Sequence, residues 1–187
     1  MTAAPPWPDC AFWDFSLALY SRPGIEAACL KLQDEFGLDV NLVLLAAWTA
    51  SRGMQIEPDL AARLRSIGEG YQTMVMRNFR AARRGLKCWP EAAALGNLVA
   101  APERRLRAVE LDLERLEQLR LAGLVEGCRS VSGRGGTDMF KANLEALYHG
   151  LRCPKWLLRP LSRPLPSTGR RSHHIPRNPI FRRDSEG

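Results

Sequence analysis

Four polar side chains interrupt an otherwise apolar stretch: Gln33 and Asp34 before Gly37, and Asp39 and Asn41 after it. Two carboxylates on either side of a tight turn can divide acid and base roles, or hold a hard cation. A cation wants more oxygen ligands than these two supply. Glu35 is expected to face solvent, and no third ligand has suitable spacing. As a pocket or a partner-docking corner, the group would be floored by Trp48. A plainer role competes. Asp39 at a helix start can accept the first free amide hydrogens, and Asn41 can satisfy backbone ends left by the preceding helix. Asn41 is the harder residue to explain, because an Asn just inside an apolar helix has no propensity reason to be there. If buried, it needs hydrogen-bond partners.

The second group is basic. Arg77, Arg80, Arg84 and Lys87 fall within about 80° of one another at 100° per residue, with Arg83 at the edge. Such a face suits a phosphate or an acidic partner, and equally serves as the solvated side of an amphipathic helix.

Other chemistries lack their parts. The histidines are His149, His173 and His174, all late in the chain. There is no G-x-S-x-G elbow. Gly133-Arg134-Gly135-Gly136 precedes a helix start, but no strand leads into it and the P-loop lysine is missing, so it reads as a linker. The cysteines, Cys10, Cys29, Cys88, Cys128 and Cys153, are scattered and odd in number, which fits free thiols in a reducing cytoplasm rather than a disulfide framework or a zinc site. No secretory leader is expected, because the first 20 residues lack Lys and Arg and no cleavage site follows an apolar stretch. The most apolar run, Leu42 to Ala50, is too short to span a bilayer, which takes about 20 residues.

The elements that must position these groups are helices; no segment alternates with period two. Helix 1 is expected from Asp9 as N-cap to about Ser21, and helix 2 from Ile25 to Phe36, stopped by Gly37. Helix 3, Asp39 to Arg52, is apolar nearly all round and belongs in the centre of the core. Helix 4 opens at Glu57-Pro58 and is expected to reach Lys87 with Leu60, Leu64, Ile67, Tyr71, Met74, Asn78, Ala82 and Leu86 on one face, weakened at Gly68 and Gly70. Helix 5 is expected from Pro102 to Leu121, with Leu106, Val109, Leu113 and Leu116 as its packing seam. Helix 6 runs from Thr137 to about Gly150 with Phe140, Leu144, Leu147 and Tyr148 inward. Half of the 14 aromatic residues lie in the first 48, which points to core packing rather than a base-stacking platform.

Charge separates body from tail. Residues 1–151 hold equal numbers of basic and acidic side chains, and the whole net charge of +7 lies in residues 152–187. A basic isoelectric point therefore says nothing about the body. The tail, with seven arginines between Arg159 and Arg183 spaced by Pro and Ser, is expected to be disordered and able to contact polyanions weakly.

Phe12-Trp13-Asp14-Phe15-Ser16-Leu17 with Tyr20, then Ala28-Cys29-Leu30 with Leu32-Gln33-Asp34, then Gly37 and Asp39-Val40-Asn41-Leu42 with Trp48, resembles the signature of a small proteobacterial family known only as a domain of unknown function. The resemblance is close over residues 12–48. It extends more loosely through Ala81 to Lys87 and the helix from Glu110 to Glu117. It implies a cytoplasmic helical protein and no particular activity. The Arg-Pro tail is not part of the pattern.

These observations lead to an all-α, single-domain bundle of about six helices. Residues 1–8 form a flexible lead-in, 9–153 the helical domain and 154–187 the basic tail. The reading assigns no catalytic residue, no metal ligand and no cofactor, and leans against an enzyme. It expects a cytoplasmic adaptor or regulatory protein that meets a protein partner through Gln33, Asp34, Asp39, Asn41 and Trp48. One alternative is a nucleic-acid or ribonucleoprotein-associated protein using the tail and the patch Arg77, Arg80, Arg83, Arg84 and Lys87. A second is a small-molecule binder or enzyme at the helix 2–helix 3 corner.

Overall fold

The computed structural model describes residues 7–128, 130, 136–151, 159 and 161. The order is α1 (Ala11–Tyr20), α2 (Ile25–Phe36), α3 (Val40–Ser51), α4 (Pro58–Tyr71), a π-turn (Gln72–Met76), α5 (Arg77–Cys88), α6 (Ala92–Leu95), α7 (Asn97–Val125) and α8 (Gly136–Leu147). Among the described residues there is no strand, only a lone bridge between Met54 and Ser130. No helix among them is long and apolar enough to cross a membrane.

Helix α3 is the axis of the bundle. Every residue from Asn41 to Ala50 is buried, and α1, α2, α4, α7 and α8 all pack on it. Phe12 stacks on Trp48 with ring centroids 5.2 Å apart. Asn143 of α8 ties the chain between α3 and α4: its Oδ1 accepts from Ile56 N at 2.9 Å, and its Nδ2 donates to Met54 O and Thr49 Oγ1. The N-cap of α1 is Cys10, whose sulfur accepts from Trp13 N, rather than the expected Asp9. Gly37 ends α2 at φ 66°, a left-handed conformation that costs glycine little.

Three expectations about the longer helices are corrected. First, helix 4 runs unbroken through Gly68 and Gly70, but the π-turn rotates everything after it, because an i→i+5 turn absorbs an additional residue. Inward residues are Ala61, Leu64 and Gly68 before the turn, Met76 at its end, and Arg80 and Arg83 after it, the two arginines partly buried. Met74, expected inside, is 77% exposed, and Asn78 and Ala82 face water.

Second, the long helix begins at Asn97, with Pro102 inside it. Third, its expected seam is turned partly outward. Val109 and Leu116 are 44% and 47% exposed, while Glu110, Glu114, Glu117 and Gln118 are buried, followed by Leu121, Ala122 and Val125.

At the ends, Trp7 of the expected lead-in is not loose. The Arg115 guanidinium lies 4.9 Å from its ring and 5.5 Å from that of Trp13. Residues 1–6 lie outside the described residues. So does the basic tail except for Arg159 and Leu161, and Leu161 is buried in the core, beyond the domain end expected at residue 153.

Candidate functional site

The helix 2–helix 3 corner and the basic helix face, separate in sequence, meet at one cleft of about 390 Å³. Gln33, Gly37, Asp39 and Asn41 line one wall. Arg65 and Glu69 of α4, Gln72 and Thr73 of the π-turn, and Arg77, Arg80 and Arg84 line the other, with Tyr20, Glu114 and Tyr148 completing it.

Asp39 caps α3. Its Oδ1 accepts from Asn41 N at 2.9 Å. Its backbone is pinned by Tyr148, just past the end of α8, whose hydroxyl accepts from Asp39 N at 3.0 Å. The capping expectation for Asp39 therefore holds. Asn41 does not serve helix ends; it is held by side chains of α7. Its Oδ1 accepts from Gln118 Nε2 at 2.9 Å and its Nδ2 donates to Glu117 Oε2 at 2.7 Å. The network continues in both directions. Ser16 Oγ, with one proton to give, lies 3.0 Å from Gln118 Oε1 and 2.9 Å from Phe12 O. Gln72 Nε2 donates to Glu117 Oε2 at 3.0 Å. A buried polar seam thus joins α1, α3, α7 and the π-turn.

Two carboxyl oxygens in this seam, Asp39 Oδ2 and Glu117 Oε1, are buried and meet no donor. The two carboxyls lie within hydrogen-bond reach of each other. Only a proton between them satisfies both oxygens, since two carboxylates have nothing to donate. Burial, and then the neighbouring Asp39, pushes Glu117 up to about 9. Burial also raises Asp39, opposed by the amide of Asn41. The pair is best described as sharing one proton near neutral pH. Gly68 makes room for it: a Cβ there would lie 3.1 Å from Asp39 Oδ2 and 3.3 Å from Leu42 Cδ1.

One turn away lies an ion cluster. Arg80 bridges α5 to α7, with Nε 3.0 Å from Glu110 Oε1 and a terminal nitrogen 3.0 Å from Glu114 Oε1. Arg83 Nε is 2.7 Å from Glu110 Oε2. Burial works against the Arg80 charge, but Glu114 and Glu110 outweigh it and hold the guanidinium above its ordinary value. Burial raises Glu114 to about 7, against the pull of Arg80. Tyr71 closes the seam by donating to Leu113 O at 2.7 Å.

The basic patch is therefore divided. Arg80 and Arg83 are structural cations facing buried glutamates. Arg65, Arg77 and Arg84 line the cleft without an ion pair among the described residues. Lys87 is exposed and does not line the cleft.

Of the corner residues, Gln33, Asp39 and Asn41 are brought together, while Asp34 is exposed and outside the cleft. Trp48 does not floor it. Eight residues further along α3 than Val40, Trp48 lies on a different cleft with Cys10, Arg52 and Leu119, its ring 5.3 Å from the Arg52 guanidinium. The residues that sequence reasoning missed are Glu110, Glu114, Glu117 and Gln118. Their i, i+4, i+7, i+8 spacing marks one helical face. An acidic stripe reads as a solvated surface until its cationic and amide partners are known.

No group of three or more His, Cys, Asp and Glu among the described residues is arranged to hold a metal ion. The fold and site define a class: an α-helical domain built on a central apolar helix, with a buried carboxyl–amide seam beneath a cleft lined by arginines. Residues 11–121 match the model of the family described as a protein of unknown function, DUF2390, and the chain belongs to that family. No curated protein and no solved structure matches it.

Proposed function

We propose that the protein is a non-catalytic binding module that seats an acidic segment of a partner protein in the arginine-lined cleft. The observation that carries this reading is the convergence of Arg65, Arg77 and Arg84, none ion-paired among the described residues, on a cleft whose other wall is the α2–α3 corner. Guanidinium groups offer forked donors that match carboxylates, and Gln33, Gln72 and Thr73 add neutral hydrogen-bonding groups at the same walls.

Perturbed carboxyls near a cleft also suit acid–base catalysis. Here each is already engaged structurally, Glu110 and Glu114 by Arg80, and Glu117 by the amides of Asn41 and Gln72. That supports binding over reaction. A cytoplasmic adaptor or regulatory role fits this picture, since Cys10, Cys29, Cys88 and Cys128 are free thiols. The cleft volume also falls in the range of small-molecule sites, which keeps a small anionic ligand as the second reading.

The test is titration of the full chain with a polyglutamate peptide. Binding should weaken at least tenfold in the double variant Arg77→Glu/Arg84→Glu and stay unchanged in Asp34→Ala. Equal binding by the double variant would overturn the reading. If binding instead disappears when the tail arginines Arg170, Arg171, Arg182 and Arg183 are changed to Gln, the tail is the binding element and the polyanion reading takes over.

A further inference from the structure

We propose that the tip of the arm formed by α5, α6 and the first half of α7 is a membrane-interface site, inserting into the headgroup region of an anionic bilayer. No residue between 68 and 110 joins the main hydrophobic core. Helix α5 has no fully buried residue, and neither have residues 97–109 of α7. The two helices pack on each other and project a tip made of α6 and its flanking residues.

The tip is apolar and faces water. Residues 88–100 carry a single charge, Glu91. Leu98 is 74% exposed, Trp89 46% and Leu95 41%. Trp89 stands before Pro90 in extended conformation, which ends α5 and turns the chain at the tip. Indole rings favour the boundary between headgroups and acyl chains.

Behind the tip the arm is strongly basic. Residues 77–109 hold eight Lys and Arg against two acidic residues. With Arg80 and Arg83 turned to the buried Glu110 and Glu114, six cations against two acids leave the arm a net +4, although the body as a whole is neutral. At 1.5 Å rise per residue, Lys87 sits about 3 Å behind Trp89 and Arg104 about 9 Å behind Leu98. Interfacial side chains enter roughly 5–10 Å deep, so a seated tip brings these cations to the level of the lipid phosphates.

Charge selects the occupant. A second copy of the arm would place one +4 surface against another. A nucleic acid would meet the cations but leave Leu95 and Leu98 in water. An anionic bilayer satisfies both parts. Its surface potential attracts the arm, and its interface covers the tip.

The experiment is vesicle co-sedimentation of the full chain, using phosphatidylcholine alone and phosphatidylcholine with phosphatidylglycerol. Wild type should bind the anionic vesicles and not the neutral ones. The variant Trp89→Ser/Leu95→Ser/Leu98→Ser changes only exposed side chains, so its thermal unfolding should match wild type, while its partitioning falls at least tenfold. Brominated lipid should quench part of the tryptophan emission of wild type, and that part should vanish in Trp89→Phe. Failure of wild type to bind anionic vesicles would overturn the proposal. So would undiminished binding by the triple variant, which would assign lipid contact to the tail arginines. Loss of polyglutamate binding in the triple variant with vesicle binding intact would make the tip a protein interface instead.

Discussion

Glu117→Gln should make this protein more stable at alkaline pH, against the usual expectation for removing a buried, hydrogen-bonded residue. In the native state Glu117 holds a proton up to about pH 9, driven first by burial and then by Asp39. In the unfolded chain a glutamate releases it near 4.3. A raised native pKa means that the stability this proton brings is complete below about pH 4 and is lost as pH rises toward 9. The slope is at most ~1.4 kcal/mol per pH unit for one proton. Up to pH 8 the window spans roughly three to four units, giving an upper bound of ~5 kcal/mol. Relaxation and water penetration around the ionised pair reduce that, and about 2 kcal/mol is expected.

A glutamine reproduces the protonated acid without titrating. Its oxygen can take the place of Glu117 Oε2, which accepts from Asn41 Nδ2 at 2.7 Å and Gln72 Nε2 at 3.0 Å. Its amide can donate to Asp39 Oδ2 in place of the shared proton, the one donor that oxygen has in the native pair. Urea unfolding followed by circular dichroism at pH 5, 6.5 and 8 measures the effect. The variant should match or fall slightly below wild type at pH 5 and exceed it at pH 8. A variant less stable than wild type at pH 8, or one with an unchanged pH slope, would refute the shared proton.

Arg80→Ala should cost about 3–5 kcal/mol at pH 7, because it strips the cation from Glu114 and half the pairing from Glu110 while both stay buried; the deficit in urea unfolding should shrink as pH falls below 7 and Glu114 protonates. Gly68→Ala should destabilise by about 1–3 kcal/mol despite alanine's better helix propensity, since the new methyl group meets Asp39 Oδ2 at 3.1 Å; Gly70→Ala, with open space around it, should be neutral or stabilising in the same melt.

Much of the architecture is legible in the residues alone. The helices follow from apolar spacing, Gly37 and Pro58, and the central place of α3 follows from a run with no polar side. The mean charge of the body and the absence of common catalytic motifs are also plain. The site was half legible. Asp39 announces a cap and Asn41 announces a buried polar need, but nothing local says who meets it. Glu117 and Gln118 stand 76 and 77 residues away.

Three decisions belong to the tertiary structure. The π-turn rotates α5 so that Arg80 and Arg83 face inward, a register change invisible at a fixed 100° per residue. Helix α7 has two candidate faces, a leucine seam and an acidic stripe, and the stripe goes inside. The reason is energetic: Arg80, Arg83, Asn41 and Gln72 already wait there, and together they satisfy carboxyls that no apolar surface could. Finally, the corner and the basic face become one cleft only because α4 passes across the start of α3, at a distance that Gly68 permits, and carries α5 on behind the π-turn. Periodicity is a property of one segment and can be read from it. Which polar groups meet across segments depends on packing, and only the folded chain decides that.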